Sequence, residues 1–460
     1  MTNPNILTLY TCVLATILLA SSPQLSAAEP PPTRPNIIFI IADDLGYRNL
    51  GCYGSKSIQT PNIDKMSQEG IKFTDCYSGA SVCAPARSTL MTGYHLGHTP
   101  VRGNNGKTPI LPEDVTVAEV LKKAGYLTGG FGKWGLGNEG SQGAAEKQGF
   151  DTFFGYYNQE HAHDYYTSHL FRNSERVELA SPNSHFSFSD KGRTERKSRY
   201  SHYAIYDETL KFIKESAASG KPFFCYAPWT PPHADLVIPE DEPAWALYKD
   251  KKEWPERARI VAAMDTMIDR HVGELLALLK DLKIDDNTIV FFTSDNGASR
   301  HWPGILDSCG ELKGIKASYN EGGIRVPMIV KWPGKIKADT VSDLPWYFPD
   351  VMPTLAGLAG VPNEVPKNTD GISIVPTLLA KGEQQKHEYL FWSGAVRMGT
   401  WKGVGKPGKL ALYDLSNDIS ETNDVAAKHP EIVAKLSGIM QKAWTAPRGQ
   451  ESEGTDSGGE

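Results

Sequence analysis

Apolar residues in this chain fall into two alternating patterns. Asn36-Ile37-Ile38-Phe39-Ile40-Ile41-Ala42 is a continuous, largely β-branched run, the pattern of a strand buried on both faces of a parallel sheet. Shorter runs at 126–131, 223–227 and 288–293 read the same way. Between them lie helical segments. One covers 116–124 and is stopped by Gly125. A second, which Ser201 can cap, runs to about Ser216 and is ended by Gly220. A third covers 254–282, with Ile260, Met264, Met267, Ile268, Leu275 and Leu279 along one side. Strands alternating with helices predict an α/β domain whose mostly parallel sheet lies between helices. From about Lys381 the pattern changes to short strands with Gly-rich turns (389–392, 396–398, 401–404, 410–413) and a helix over 431–444, a small C-terminal α+β domain. The polar, charged segment 181–199 reads as a surface insertion.

The remaining boundaries follow from composition. Ile6 to Ala20 is apolar, and small residues lead to Ser26-Ala27-Ala28, which reads as a secretory signal over 1–28 cleaved near Ala28. The usual basic residue at its start is missing, so a membrane-anchored form is the second reading, although the run is short for a span. The expected product is periplasmic or secreted, with no membrane segment in its mature form. The main domain then covers 33–380 and the α+β subdomain 381–448; the acidic, Gly/Ser-rich tail 449–460 has the composition of a disordered segment. At 460 residues more than one domain is expected, and a net charge of -6 gives no nucleic-acid footprint. Cys12 falls in the signal; Cys52, Cys76, Cys225 and Cys309 could pair or remain buried thiols, and spacing does not decide between them.

The carboxyl ends of parallel strands are where α/β folds place ligands. The first strand ends in Asp43-Asp44, which taken alone reads as a pair of turn carboxylates. The strand over 288–293 ends in Ser294-Asp295-Asn296-Gly297, and the two ends together bring three carboxylates and an amide oxygen to one rim. Such a group repels itself unless a cation is bound. With oxygen ligands only, a hard ion is expected, Ca²⁺ ahead of Mg²⁺. Lys133 stands at another strand end, where a solvated loop residue is the ordinary reading. His233 follows the stiff Trp229-Thr230-Pro231-Pro232 segment.

Ser81-Val82-Cys83-Ala84-Pro85-Ala86-Arg87-Ser88-Thr89-Leu90-Met91-Thr92-Gly93 reads as a turn feeding a helix, with Pro85 in the first turn and Arg87 near Cys83. A helix N-terminus beside an arginine suits a nucleophile facing an anion; a buried thiol beside a helix cap is the plain alternative. All thirteen residues resemble the signature of type I sulfatases, and further segments from Asn36 to Pro327 resemble the family's motifs in order. The resemblance implies an alkaline-phosphatase-like α/β fold and hydrolysis of a sulfate ester, with Cys83 oxidised to formylglycine by a formylglycine-generating enzyme. Hydrated, that aldehyde offers two hydroxyls: one takes the sulfuryl group, giving a covalent sulfated enzyme, and the other drives its release. It also implies Ca²⁺ held by Asp43, Asp44, Asp295 and Asn296 against residue 83, with Arg87, Lys133 and Lys316 on the sulfate. Glu321 and Arg325, in a segment similar to the family's Glu-Gly-Gly-x-Arg-x-Pro, read as a structural pair.

His233 is the expected acid for the leaving group, with bracing of its Pro-rich loop as the alternative. The partner is expected to be a sulfated small molecule or glycan; Trp134, Tyr156, Tyr157, Tyr165 and Tyr166 offer aromatic faces for sugar rings, unless they are core. One departure stands out: the family commonly has Gly-Lys-Trp-His where this chain has Gly132-Lys133-Trp134-Gly135. The histidine is a usual candidate for the base that regenerates the aldehyde. His161 and His163 lie in the next polar loop, and His163 by preference is expected to enter the space above Lys133, as the replacement base or a sugar ligand. A surface loop with incidental histidines is the alternative. Two other function classes are compatible: a phosphodiesterase or phosphonate hydrolase on the same fold, and a non-catalytic carbohydrate-binding protein in which Cys83 stays a thiol.

Overall fold

Residues Asn36–Ala42 form strand β1, and all seven are buried. The computed structural model describes Met1 and residues 34–448 other than Asn105 and Lys107. Apart from Met1, the expected signal segment lies outside the described residues, as does the acidic tail. Side chains of a strand alternate between faces, and β1 serves two cores. Ile37, Phe39 and Ile41 join one with Leu90, Met91, Val117 and Leu121. Ile38, Ile40 and Ala42 join the other with Ile205, Ile213, Ile268 and Leu275. That is why its run is apolar without interruption; each such side chain contributes roughly 1.5–3 kcal/mol on burial.

The helices on the first face are α1 (Cys83–Thr92) and α2 (Val117–Lys123). Those on the second are α3 (Ser201–Ser219) and α4 (Glu256–Asp281). The remaining central strands are β2 (Leu127–Lys133), β3 (Thr152–Tyr156), β4 (Phe223–Trp229) and β5 (Thr288–Ser294). The order β5-β1-β4-β2-β3 is parallel throughout and forms the middle of a ten-stranded sheet. Antiparallel pairings begin on both sides of it, at Met328–Lys331 beside β5 and at His169–Arg172 beside β3.

Two local expectations are corrected. Ser201 does not cap α3: it is the first helical residue, and its hydroxyl accepts a hydrogen bond from Tyr156 Oη at 2.6 Å. The helix also runs on to Ser219 before Gly220, at φ 70°, turns the chain. The polar segment expected to be a surface insertion is a hairpin: Ala180–Ser189 and Gly192–Ser198 pair with each other and with Val237–Pro239. Its mostly exposed residues explain the polar composition. All five described cysteines are free thiols.

The C-terminal strands β6 (Leu390–Trp392), β7 (Ala395–Met398), β8 (Trp401–Lys406) and β9 (Lys409–Asp414) form an antiparallel sheet in sequence order. Helix α5 (Pro430–Lys442) packs on it through Leu436 and Met440. A buried ionic network ties this sheet to the segment after β5. Glu321 accepts from Arg325 Nε at 2.6 Å, Tyr77 Oη at 2.7 Å and Lys402 Nζ at 2.7 Å, and Lys402 also pairs with Glu421 at 3.0 Å. Burial opposes the Glu321 charge, but Lys402 and Arg325 hold its carboxyl well below the usual range. Lys402→Met takes a shared buried cation from two buried carboxylates and is expected to cost about 3–5 kcal/mol in urea unfolding; an unchanged midpoint contradicts this reading of the network.

Candidate active site

Three strand ends and one helix start meet at a single point. Strands β1 and β5 pair with Ala42 opposite Ser294, so Asp43 and Asp295 leave the sheet side by side. Asp44 takes a left-handed turn, φ 66°, and its N–H donates to Asp295 Oδ1 at 3.2 Å. Lys133 ends β2, and its Nζ donates to Asp43 Oδ2 at 2.7 Å. Cys83 opens α1, after an N-cap (Val82) with no side-chain cap, so the first N–H groups of the helix lie beside it. One turn further on, Arg87 donates to Asp295 Oδ2 at 2.8 Å, to Asp43 Oδ2 at 3.1 Å and to the Lys133 carbonyl at 2.6 Å.

Lys316 closes the group from the loop after β5, where Ala317 N–H bonds Ser81 O at 2.8 Å and fixes the loop against the start of α1. Its Nζ lies 2.6 Å from Asp44 Oδ1 and 3.2 Å from Cys83 Sγ. The thiol itself donates to Asp43 Oδ1 at 3.3 Å. His233 arrives on the loop after β4; its Nε2 is 3.8 Å from Asp44 Oδ2 and its Nδ1 is 2.9 Å from the Ala234 carbonyl. Cys83, Asp43, Asp295, Asn296, Arg87 and Lys133 are fully buried. Lys316 keeps 18% of its side chain exposed and marks the open side.

Three carboxylates face three cations, yet the balance is uneven. Burial works against the Asp43 charge, but Lys133, His233, Arg87 and Lys316 hold its carboxyl well below the usual range. Burial and the neighbouring Asp43 charge instead push Asp295 up to about 6. The Cys83 thiol is pushed far up, by burial and then by Asp43, so it stays protonated and is a poor nucleophile. Burial lowers His233 to about 4, the attraction of Asp43 being countered by Lys133, so the imidazole is neutral at neutral pH.

The donor set fits a hard divalent cation. Asn296 Nδ2 donates to Asp44 Oδ1 at 2.7 Å, while its Oδ1 is buried without a hydrogen-bond partner. An orphaned amide oxygen beside three carboxylates is an arrangement a cation completes. Ligand atoms of Asp43, Asp44, Cys83 and His233 all lie within 4.8 Å of one another. A divalent ion here leaves the pocket positive overall, the condition for holding an anion.

The two loop histidines separate. His163 is exposed, and its ring centroid lies 4.7 Å from that of His233. His161 turns away: its Nε2 is 2.7 Å from Thr167 Oγ1, and its ring stands edge-on to Tyr156. The expected aromatic platform is not one. Trp134, Tyr156, Tyr157, Tyr165 and Tyr166 are all buried. Trp134 packs edge-on against Phe150 and donates to the Gly143 carbonyl, and Tyr165 Oη donates to the His233 carbonyl at 3.0 Å, bracing that loop. Buried side chains of this kind leave little face for a ligand, although Tyr157 borders a cavity together with Gly135 and Gln159. Asn104, by contrast, drew no notice in the sequence, yet its Oδ1 accepts the N–H of Ala84, next to Cys83, at 2.8 Å. A lone asparagine in a loop carries no pattern that could have marked it.

A family model described as Sulfatase matches residues 35–361. The chain is 33% identical over 429 residues to N-acetylgalactosamine-6-sulfatase of Canis lupus familiaris, covering 84% of this chain and 74% of that protein. It is 32% identical over 492 residues to arylsulfatase A of Homo sapiens, covering 92% and 90%. The structure superposes on Ps i-CgsB in complex with k-i-k-neocarrahexaose with a TM-score of 0.76 and 28% identity, over 90% and 93% of the two chains. The sheet, its helices and the small antiparallel sheet have the alkaline-phosphatase-like α/β architecture expected from the sequence. The chain belongs to the sulfatase family and is a sulfuric ester hydrolase.

Proposed function

We propose that this enzyme hydrolyses a sulfate ester on a carbohydrate, using residue 83 as formylglycine and a Ca²⁺ ion. The observation that carries this reading is the clasp on Cys83, whose Sγ lies 3.3 Å from Asp43 Oδ1 and 3.2 Å from Lys316 Nζ at the start of a buried helix. A site that suppresses the thiolate has no use for cysteine as such. Oxidised and hydrated, residue 83 supplies a geminal diol, one hydroxyl to accept the sulfuryl group and one to release it. Asp43, Asp44, Asp295 and Asn296 would hold the Ca²⁺ ion beside residue 83, and it would supply charge to polarise the sulfate and acidify a hydroxyl.

The protein's own side chains do the rest. Lys133, Arg87 and Lys316 carry fixed positive charge in a water-poor pocket, where it counts for more than in bulk solvent. Arg87 also holds Asp295 and Asp43 in line and bonds the Lys133 backbone. His233 stands beside Asp44 on a loop braced by Tyr165; neutral in the free site, it is helped to take up a proton by a bound anion and can pass it to the leaving oxygen. Carbohydrate as the substrate class is supported by the names of relatives, not by the aromatic residues. The formylglycine-generating enzyme is the maturation partner. A periplasmic or secreted location rests on the signal segment; among the described residues no helix is long and apolar enough to cross a membrane.

Sulfate release from 4-nitrophenyl sulfate and from a panel of monosulfated monosaccharides, against matched phosphate and phosphonate esters, tests the reaction class. Faster release of phosphate than sulfate favours the phosphodiesterase or phosphonate hydrolase reading. The contact between His163 and His233 makes His163 the candidate for the base or sugar ligand that Gly135 does not supply. His163→Ala is expected to lower kcat/KM on the best sugar sulfate by about tenfold or more, and His161→Ala by less. Wild-type kcat and KM in both variants contradict a role for either histidine.

A further inference from the structure

One face of helix α1 is held by the chain that leaves it. Ala84, Ser88 and Thr92 stand four residues apart and share that face, one position round from Cys83 and Arg87. Ser88 and Thr92 are fully buried, and buried hydroxyls require partners. After Gly93 the segment 94–104 returns along α1 in the opposite direction and supplies them. Thr99 Oγ1, also buried, lies 2.6 Å from Ser88 Oγ and 3.3 Å from Thr92 Oγ1. The Val101 N–H reaches Ser88 Oγ at 3.4 Å. At the helix start, Asn104 Oδ1 accepts the Ala84 N–H at 2.8 Å.

This return segment is also tied on its other side. Asp370 accepts the His95 N–H at 2.9 Å, and its Oδ2 lies 2.9 Å from His98 Nδ1. The Thr445 N–H donates to the Gly97 carbonyl at 3.2 Å, and Arg102 donates to the Thr445 carbonyl at 2.6 Å. Asn104 is itself exposed, but the residues that deliver it are fixed.

The first turn of α1 has few holds of its own. Its N-cap, Val82, makes no side-chain cap, and Pro85 has no N–H to give. The backbone on either side of Cys83 is fixed from outside the helix. On one side the Ala317 N–H donates to the Ser81 carbonyl at 2.8 Å; on the other Asn104 takes the Ala84 N–H. Residue 83 lies between these two ties.

We infer that Asn104 is a positioning residue for the nucleophile: by holding the Ala84 N–H, its side-chain oxygen sets where residue 83 stands between Asp43 and Lys316. The inference rests on the sulfatase reading of Cys83 and deepens it. Asn104 acts through the backbone and takes no part in proton transfer. Without its oxygen, water can take the Ala84 N–H at this exposed edge, so the fold loses little. Residue 83 loses one of its two ties, and a misplacement of about 1 Å at a reacting atom can cost about 100-fold in rate.

The test compares wild type, Asn104→Ala and Asn104→Asp on 4-nitrophenyl sulfate and on the best monosulfated sugar. Rates are divided by the aldehyde content of residue 83, measured by mass spectrometry, and each variant is unfolded in urea. Asn104→Asp keeps the acceptor oxygen and places a negative charge at a helix N-terminus, where it is favourable. Asn104→Ala is expected to lower kcat on both substrates by about tenfold, with KM within about twofold and a urea midpoint close to wild type. Asn104→Asp should recover kcat to within about threefold of wild type. Wild-type kcat in Asn104→Ala overturns the inference, and so does Asn104→Asp that is as slow as Asn104→Ala. A rise in KM alone marks a substrate contact, and a kcat loss that follows a lowered midpoint marks a merely structural role; either result overturns it too. Failure of the underlying reading looks different: wild type whose residue 83 is an aldehyde then releases sulfate from neither ester.

Discussion

Cys83→Ala is expected to lower kcat for sulfate ester hydrolysis by at least about 10⁴-fold, the scale of loss seen when a covalent nucleophile is removed. The substitution leaves every charged partner in place. Arg87 still bridges Asp295 and Asp43, and Lys133 still pairs with Asp43. Helix α1 keeps its hydrogen bonds, since Cys83 makes no side-chain cap. Stability should therefore stay close to wild type, and binding of a sulfated ligand should survive while turnover does not. A variant retaining more than about a tenth of wild-type kcat would show that residue 83 is not the nucleophile.

Loss of the metal should have the next largest effect. Chelation is expected to abolish turnover, with Ca²⁺ restoring it better than Mg²⁺, because the donors are all oxygens and Ca²⁺ tolerates irregular geometry. Asp295→Ala removes one of these donors. It also takes from Arg87 its 2.8 Å partner and from the Asp44 N–H its acceptor. This variant should fall about 10²–10³-fold in kcat/KM and respond poorly to added Ca²⁺. Active enzyme that contains no divalent metal by elemental analysis would falsify the metal assignment.

Much of this centre was legible in the chain. Buried strands announce themselves as unbroken apolar runs, and the polar residues that end such runs must sit on one rim of the sheet. That logic brings Asp43, Asp44, Asp295 and Asn296 together, and the parallel register of β1 and β5 gives the reason. Arg87 followed from helical spacing. The loops were less legible. Lys316 lies outside any regular element, and its position depends on a backbone bond to Ser81, for which no local pattern exists. Gly135 was visible as a departure, but its neighbour was not: Gln159 lies against it through a contact between the loops after β2 and β3. Aromatic composition misled, because Trp134 and Tyr156 have the same identity in a core as on a sugar-binding face. Only burial separates the two.

The central claim, that residue 83 works as an aldehyde, is tested most directly by mass spectrometry of the tryptic peptide spanning Cys83, taken from a preparation of measured specific activity. The expected peptide is about 18 Da lighter than the thiol form, the difference made by exchanging the thiol for a carbonyl oxygen, and the modified fraction should rise and fall with specific activity across preparations. Full activity in enzyme whose residue 83 is entirely thiol contradicts the account.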